Sequence, residues 1–207
     1  MNTWYGSEDS EALTGVSFAG WCLVGVRLLG LAPIVLSGLL LSVLLRGLER
    51  PIFGQNRPVT PYITVAVCRF ALRIIGLPCR VTGRPMRSPG AFVANHSSWL
   101  DIFVLHSCSR VYSVSKAEVS AWPLIGWLAR ATGTVFIRRS RQDAAQQTEI
   151  FRARLRNGHR LLFFPEGTST DGLRVLPFKS SLFEAFFASD DACTDFWIQP
   201  VSVAYFA

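Results

Sequence analysis

His96 and Asp101 stand five residues apart in NHSSWLD (95–101). On one continuous helix five residues turn about 500°, which leaves the side chains about 140° apart. The two meet only if His96 lies in the loop before a helix and turns back over its first turn. Asn95 at the end of a strand, and Ser97 or Ser98 as a helix cap, favour that path. Asp101 on one ring nitrogen would fix the tautomer and raise the basicity of the other, as a general base requires. Taken alone, the pair reads more simply as a structural histidine at a helix start.

A second constellation is FFPEGTSTDG (163–172), where an apolar strand runs into Glu166, Gly167 and Thr168. Gly167 permits a sharp turn or a close backbone approach, and the N–H groups after it can face an oxyanion or a ligand oxygen. Glu166 is placed to bind a hydroxyl. Asp171 stands where the G-x-S-x-G elbow of serine hydrolases needs glycine, and neither a Walker loop nor a dinucleotide fingerprint fits. The plainer reading is a turn between strand and helix. GTVFIRRSR (133–141) ends in Arg138, Arg139 and Arg141. Alternation sends Arg138 and Arg139 to opposite faces, so one can enter a cleft and hold phosphate bidentately; solvated surface arginines are the alternative. Ile198-Gln199-Pro200-Val201 is an apolar strand end with no chemistry of its own. His106 and His159 lack such a context and read as structural or solvent-facing.

These residues need a frame. From residue 80 short apolar runs alternate with helical stretches. Strands are expected over 91–95, 111–116, 133–139, 161–165 and 198–206. Helices are expected over 98–108, 117–132 around Pro123, 142–157 and 180–189. That alternation implies an α/β fold with a mixed sheet flanked by helices, whose chemistry gathers in loops at strand ends. Before it, 18 residues between Arg27 and Arg46 carry no charge. As a helix they extend about 27 Å, against a hydrocarbon thickness of about 30 Å. The segment either spans or forms a re-entrant hairpin turning at Pro33; a buried soluble helix is the alternative. Residues 60–78 form a helix with Arg69 and Arg73 on an otherwise apolar cylinder, either interfacial or packed on the domain. The division is an amino-terminal tail and anchor (1–50), a linker with an interfacial amphipathic helix (51–79) and an α/β domain (80–207).

Composition bounds the partners. The chain has 207 residues, half of them hydrophobic and 17% charged, with net charge +7. Mean hydropathy is +0.31. Residues 27–100 hold nine arginines and one acid, Glu49, hence +8, whereas 101–207 hold twelve basic and ten acidic residues, hence +2. The excess sits beside the apolar run, which favours a membrane surface over nucleic acid. With acids before that run and Arg46, Arg50 and Arg57 after it, the positive-inside rule places the domain in the cytoplasm, at the inner membrane. The five cysteines form no CxxC and show no metal-ligand spacing, as expected of reduced thiols.

In order, NHSSWLD, GTVFIRR, FPEGTST and IQPVSVA resemble the four motifs of the glycerolipid acyltransferases, the 1-acylglycerol-3-phosphate acyltransferase family, over roughly residues 80–204. The resemblance implies transfer of a fatty acyl group from acyl-CoA or acyl carrier protein to a lysolipid hydroxyl at a membrane, with no further cofactor. His96 matches the catalytic base and Asp101 its partner. Arg139, Glu166, Gly167 and Pro200 match the later motifs, and Lys116 matches a recurring position of less defined role. Thr168 completes the Glu-Gly-Thr loop as a candidate substrate contact. Two departures stand out: Arg138 where the family often has Asp, and Ser169 where it often has Arg, which removes a candidate phosphate ligand. FPEGTSTDGLRVLPFKSSLF is more like the lyso-ornithine lipid branch. For that family the sequence is short after Val201, as a form truncated at the carboxy end would be. A non-catalytic membrane adaptor on the same domain is the competing reading.

Overall fold

In the computed structural model, residues 15–138, 144–172, 175–183, 186 and 196–206 are described. Two long helices come first: α1 (Phe18–Phe53) and α2 (Thr60–Ile75). The domain follows as β1 (Gly90–Ala94), α3 (Leu100–Cys108), β2 (Tyr112–Lys116), α4 (Ile125–Thr132), β3 (Val135–Ile137), α5 (Ala144–Arg156), β4 (Arg160–Phe163) and β5 (Trp197–Val201). Single 3₁₀ turns cover Ala117–Ala121 and Ser180–Leu182.

The strands form one sheet in the order β3-β2-β4-β1-β5. Every pairing among the described residues is parallel. The α/β architecture expected from the alternation is thus present. Parallel strands are buried on both faces, and the side chains divide accordingly. Ala91, Leu161 and Phe163 point to one face, where Phe151 and Leu155 of α5 cover them. Phe92, Ala94 and Leu162 point to the other, with Leu105 of α3, Val111 and Val203. Pro200 lies on the edge strand, where its missing N–H costs no ladder bond on the open side.

The α1–α2 pair packs outward from α3, with α2 in the middle. The described helix α1 passes through Pro33 without a break, so Pro33 is not the turn of a hairpin. A proline removes one helical bond, and apolar helices tolerate that. The chain instead reverses between Gly54 and Val59. Arg46 donates to the carbonyls of Asn56 and Gly54. Buried Glu49 accepts from the N–H groups of Val59 (2.6 Å) and Thr60 (3.0 Å), satisfying donors that the start of α2 leaves open. Gly38 lets the helices approach: a Cβ there would lie 2.3 Å from Val67 Cγ2. The helix expected over 60–78 stops at Ile75, capped by Gly76 in the left-handed region. Of its two readings, α2 takes the packed one: Cys68, Ala71 and Leu72 are buried and Arg69 Nε donates to Ser107 O at 2.8 Å.

The helix expected over 117–132 is broken at Trp122–Leu124, where Pro123 cannot continue the first turn and Leu124 adopts φ 60°. The strand expected over 161–165 ends at Phe163, and that over 198–206 ends at Val201. Residues 180–182 form a 3₁₀ turn, and most of the helix expected to 189 lies outside the described residues.

Candidate active site

Parallel strands put all their carboxy ends at one edge of the sheet, where such folds bind ligands. Val93 of β1 pairs with Phe163 of β4 and with Pro200 of β5. The loops that follow these three neighbours therefore leave the sheet at one level. His96 follows β1, Glu166 follows β4, and Val203 and Tyr205 follow β5.

His96 lies in the loop before α3, and the dyad forms. Its Nδ1 is 2.8 Å from Asp101 Oδ2. The same oxygen accepts the backbone N–H groups of Ser97 (2.7 Å) and Ser98 (2.9 Å), so Asp101 closes the 96–101 loop from the first turn of α3. Ser98 Oγ accepts from Leu100 N. Asp101 is fully buried. Burial alone would raise its carboxyl, yet the bonds from His96, Ser98, Tyr205 and Ser97 outweigh that and hold it below the usual carboxylate range. It is an anion facing the ring. The ring is also fixed from its face: Phe164 stacks on it with centroids 4.0 Å apart and planes 14° apart. His96 keeps 18% of its side chain exposed, and Nε2 is the nitrogen left for a substrate.

The Glu-Gly-Thr loop is tied to the His96 loop. Thr170 N donates to His96 O at 2.8 Å, and a Cβ on Gly172 would touch Ser97 Oγ. Gly167 takes φ 72° and its N–H closes the turn onto Phe164 O. Glu166 is 3% exposed and its Oε2 accepts from Leu176 N at 3.0 Å. That oxygen holds the 175–179 segment rather than standing open to a hydroxyl. Thr168 is half-buried and Ser169 exposed.

The remaining candidates stand farther off. Lys116 ends β2, two strands from β1, or about 10 Å at the usual strand spacing. It is exposed at the same sheet edge. Arg139 lies outside the described residues. Pro200 sits on β5 beside an apolar cavity of about 650 Å³, lined also by Phe92, Val104, Leu162 and Tyr205. His106 and His159 are both buried, not solvent-facing. His106 Nδ1 is 2.9 Å from Ile102 O, and His159 lies against Arg154 and Tyr112.

Three features of the site had no local signal in the sequence. Phe164 backs His96. Asn95 makes reciprocal bonds with Val203, donating to its carbonyl at 2.9 Å and accepting its N–H at 2.8 Å. Tyr205 donates its hydroxyl to Asp101 Oδ1 at 2.6 Å. All three depend on which strands are neighbours.

Residues 79–204 match the family model described as Acyltransferase. The chain belongs to the acyltransferase family. A lyso-ornithine lipid O-acyltransferase of Rhodobacter capsulatus is 53% identical over 192 residues, spanning 92% of this chain and 69% of that protein. One from Pseudomonas aeruginosa is 37% identical, over 88% of this chain and 68% of that protein. A 1-acyl-sn-glycerol-3-phosphate acyltransferase of Neisseria gonorrhoeae is 37% identical over 136 residues, covering 64% of this chain and 51% of that protein. The crystal structure of the 1-acyl-sn-glycerophosphate acyltransferase of Thermotoga maritima shares the fold, with TM-score 0.51 and 24% identity over 78% of this chain and 71% of that one. The acyltransferase model begins at residue 79, after α2, and takes in the whole sheet.

Proposed function

We propose that this acyltransferase moves a fatty acyl group from an acyl thioester to the hydroxyl of a lysolipid, and that lyso-ornithine lipid is the acceptor. The observation that carries the reaction is the His96–Asp101 bond, with Nε2 left free for the acceptor. His96 Nε2 takes the hydroxyl proton as that oxygen attacks the thioester carbonyl. The resulting oxyanion collapses, the C–S bond breaks, and the leaving thiolate takes the proton back from His96. Asp101 stabilises the imidazolium that forms between these steps. The Gly167 N–H is spent within its own turn. The N–H groups of Thr168 and Ser169 are therefore the oxyanion donors assigned to this loop. A non-catalytic adaptor would have no need of a His96–Asp101 pair whose second ring nitrogen is left for a substrate.

Two features favour lyso-ornithine lipid over a glycerol phosphate acceptor. Relatives bearing that name match most of the chain. Ser169, exposed beside the dyad, lacks the guanidinium that would hold a phosphate. The test offers the protein lysophosphatidic acid and lyso-ornithine lipid in competition, with acyl-CoA or acyl carrier protein as donor, and identifies products by mass spectrometry. Acylated ornithine lipid should dominate. Dominant phosphatidic acid would overturn the acceptor, and full activity of His96→Ala would overturn the mechanism.

We further propose that α1 holds the protein on the membrane without crossing it. Its outer face is apolar, with Phe18, Leu29, Leu40 and Ile52 exposed. The helix is long and apolar enough to span. Yet it is tied along the domain: Arg27 lies over Gly76 at one end, and Arg57, in the loop after α1, donates to Ala131 O at the other. A perpendicular crossing would pull α2 and α4 into hydrocarbon, so α1 lies in the interface. Leu29→Asp with Leu40→Asp should release the protein from anionic vesicles in flotation; retained binding would refute this anchor.

A further inference from the structure

The Asp101 carboxylate divides its bonds unevenly. Oδ2 accepts from His96, Ser97 and Ser98, all within one loop. Oδ1 accepts from Tyr205, 104 residues away, on the segment after β5. Among the described residues Tyr205 is the one hydrogen-bond donor to Oδ1, and at 2.6 Å the bond is short and charge-assisted. Asp101 is fully buried, so without the phenol this oxygen would face protein without a donor.

The segment carrying Tyr205 is itself held. Asn95, the residue before His96, exchanges two bonds between its side-chain amide and the backbone of Val203. One strand end thus places both the base and the donor that grips the base's partner. Tyr205 also stays a donor: burial, then the bond to Asp101 and its negative charge, push the phenol well above its ordinary value.

We propose that Tyr205 is a positioning residue of the acyl-transfer site, which sets the orientation of Asp101 and tempers its pull on the His96 Nδ1 proton. This rests on His96 acting as the base. The phenol draws electron density from the carboxylate. It thereby limits how strongly Asp101 basifies the ring, and it keeps Oδ2 turned to His96. The phenol meets the dyad through Asp101 Oδ1.

Tyr205→Phe in the full chain tests this. Its kcat should fall about tenfold, the usual scale for losing a group that orients a catalytic one, with KM within twofold. The acid limb of its pH–rate profile should move upward, because an ungripped carboxylate makes the ring more basic. In an Asp101→Asn background, Tyr205→Phe should cost no more than about twofold. An unmoved or lowered limb, or the same tenfold loss in that background, would overturn the assignment and leave Tyr205 a structural tie. Should Tyr205→Phe fail to fold, 3-fluorotyrosine at 205 keeps the test open: a stronger donor should lower the limb, and no movement refutes the proposal. Parent activity with a dead His96→Ala control separates this failure from failure of the base assignment.

Discussion

Replacing Asp101 by Asn isolates its charge from its geometry. Three donors converge on Oδ2, two of them backbone N–H groups that cannot turn away. The amide oxygen must therefore occupy that site, and the NH₂ faces Tyr205, whose hydroxyl can rotate to accept. The His96 tautomer is preserved, and what disappears is the negative charge. At about 4 Å and an effective dielectric near 20, that charge stabilises an imidazolium by about 4 kcal/mol. The retained hydrogen bond offsets part of this. A net loss of about 2–3 kcal/mol predicts a kcat reduced about 30- to 150-fold. Steady-state acyl transfer in detergent micelles, followed across pH, measures it. The acid limb should move to lower pH, opposite to its expected shift in Tyr205→Phe. A kcat within twofold of the parent, or a limb that moves upward, would refute the dyad reading. Asp101→Ala is a poorer probe, because it also strands two buried backbone donors.

Three further outcomes are expected. Ser169→Arg supplies an exposed guanidinium beside the dyad and should raise the share of lysophosphatidic acid acylated in competition about tenfold, the scale of one charge-assisted bond; an unchanged product ratio would remove position 169 from acceptor choice. Gly38→Leu should lower stability by about 1–3 kcal/mol, since even a Cβ there meets Val67. Thermal melts in micelles would show it, and an unaltered midpoint would mean that α1 and α2 part easily. His159 is pushed down to about 4, first by burial and then by Arg154, Arg57 and Arg46. The unfolded chain therefore binds a proton near pH 6.5 that the folded chain resists, and stability should fall between about pH 6.5 and 4, by up to about 3 kcal/mol. His159→Gln should flatten that slope in denaturant titrations; an equally steep slope would assign the acid sensitivity elsewhere.

Local spacing set the condition under which the dyad could form, and the resemblance of the four motifs marked it as a base and its partner. The five-residue gap between His96 and Asp101 let the two meet only from a loop before the helix, which is the conformation found. The strand–helix alternation was legible because parallel strands are short, apolar and separated by helices. What spacing could not show was adjacency. β1 lies between β4 and β5, although β2 and β3 intervene in the chain. That order brings Phe164 onto His96 and Tyr205 onto Asp101. The α1 hairpin was misplaced at Pro33 because proline marks a break in water, whereas Glu49 fixes the reversal some twenty residues later. A carboxylate after a strand can serve a ligand or the chain, and spacing does not say which; one oxygen of Glu166, Oε2, serves the chain at Leu176.

The reciprocal bonds between Asn95 and Val203 bear on the order in which the molecule becomes active. They join residues 108 positions apart. Contacts so distant in sequence form late, because the closing loop must lose its freedom first. During synthesis the α1–α2 hairpin precedes the sheet, and the His96 loop is made while it still lacks its far-end ties. β5 follows the other described strands in the chain, so Val203 and Tyr205 reach the sheet edge and the carboxylate after the dyad loop has been made. The dyad loop therefore waits on the outer strand for its far-end ties, and closure of the sheet edge, rather than the loop's own folding, decides when His96 and Asp101 are held together.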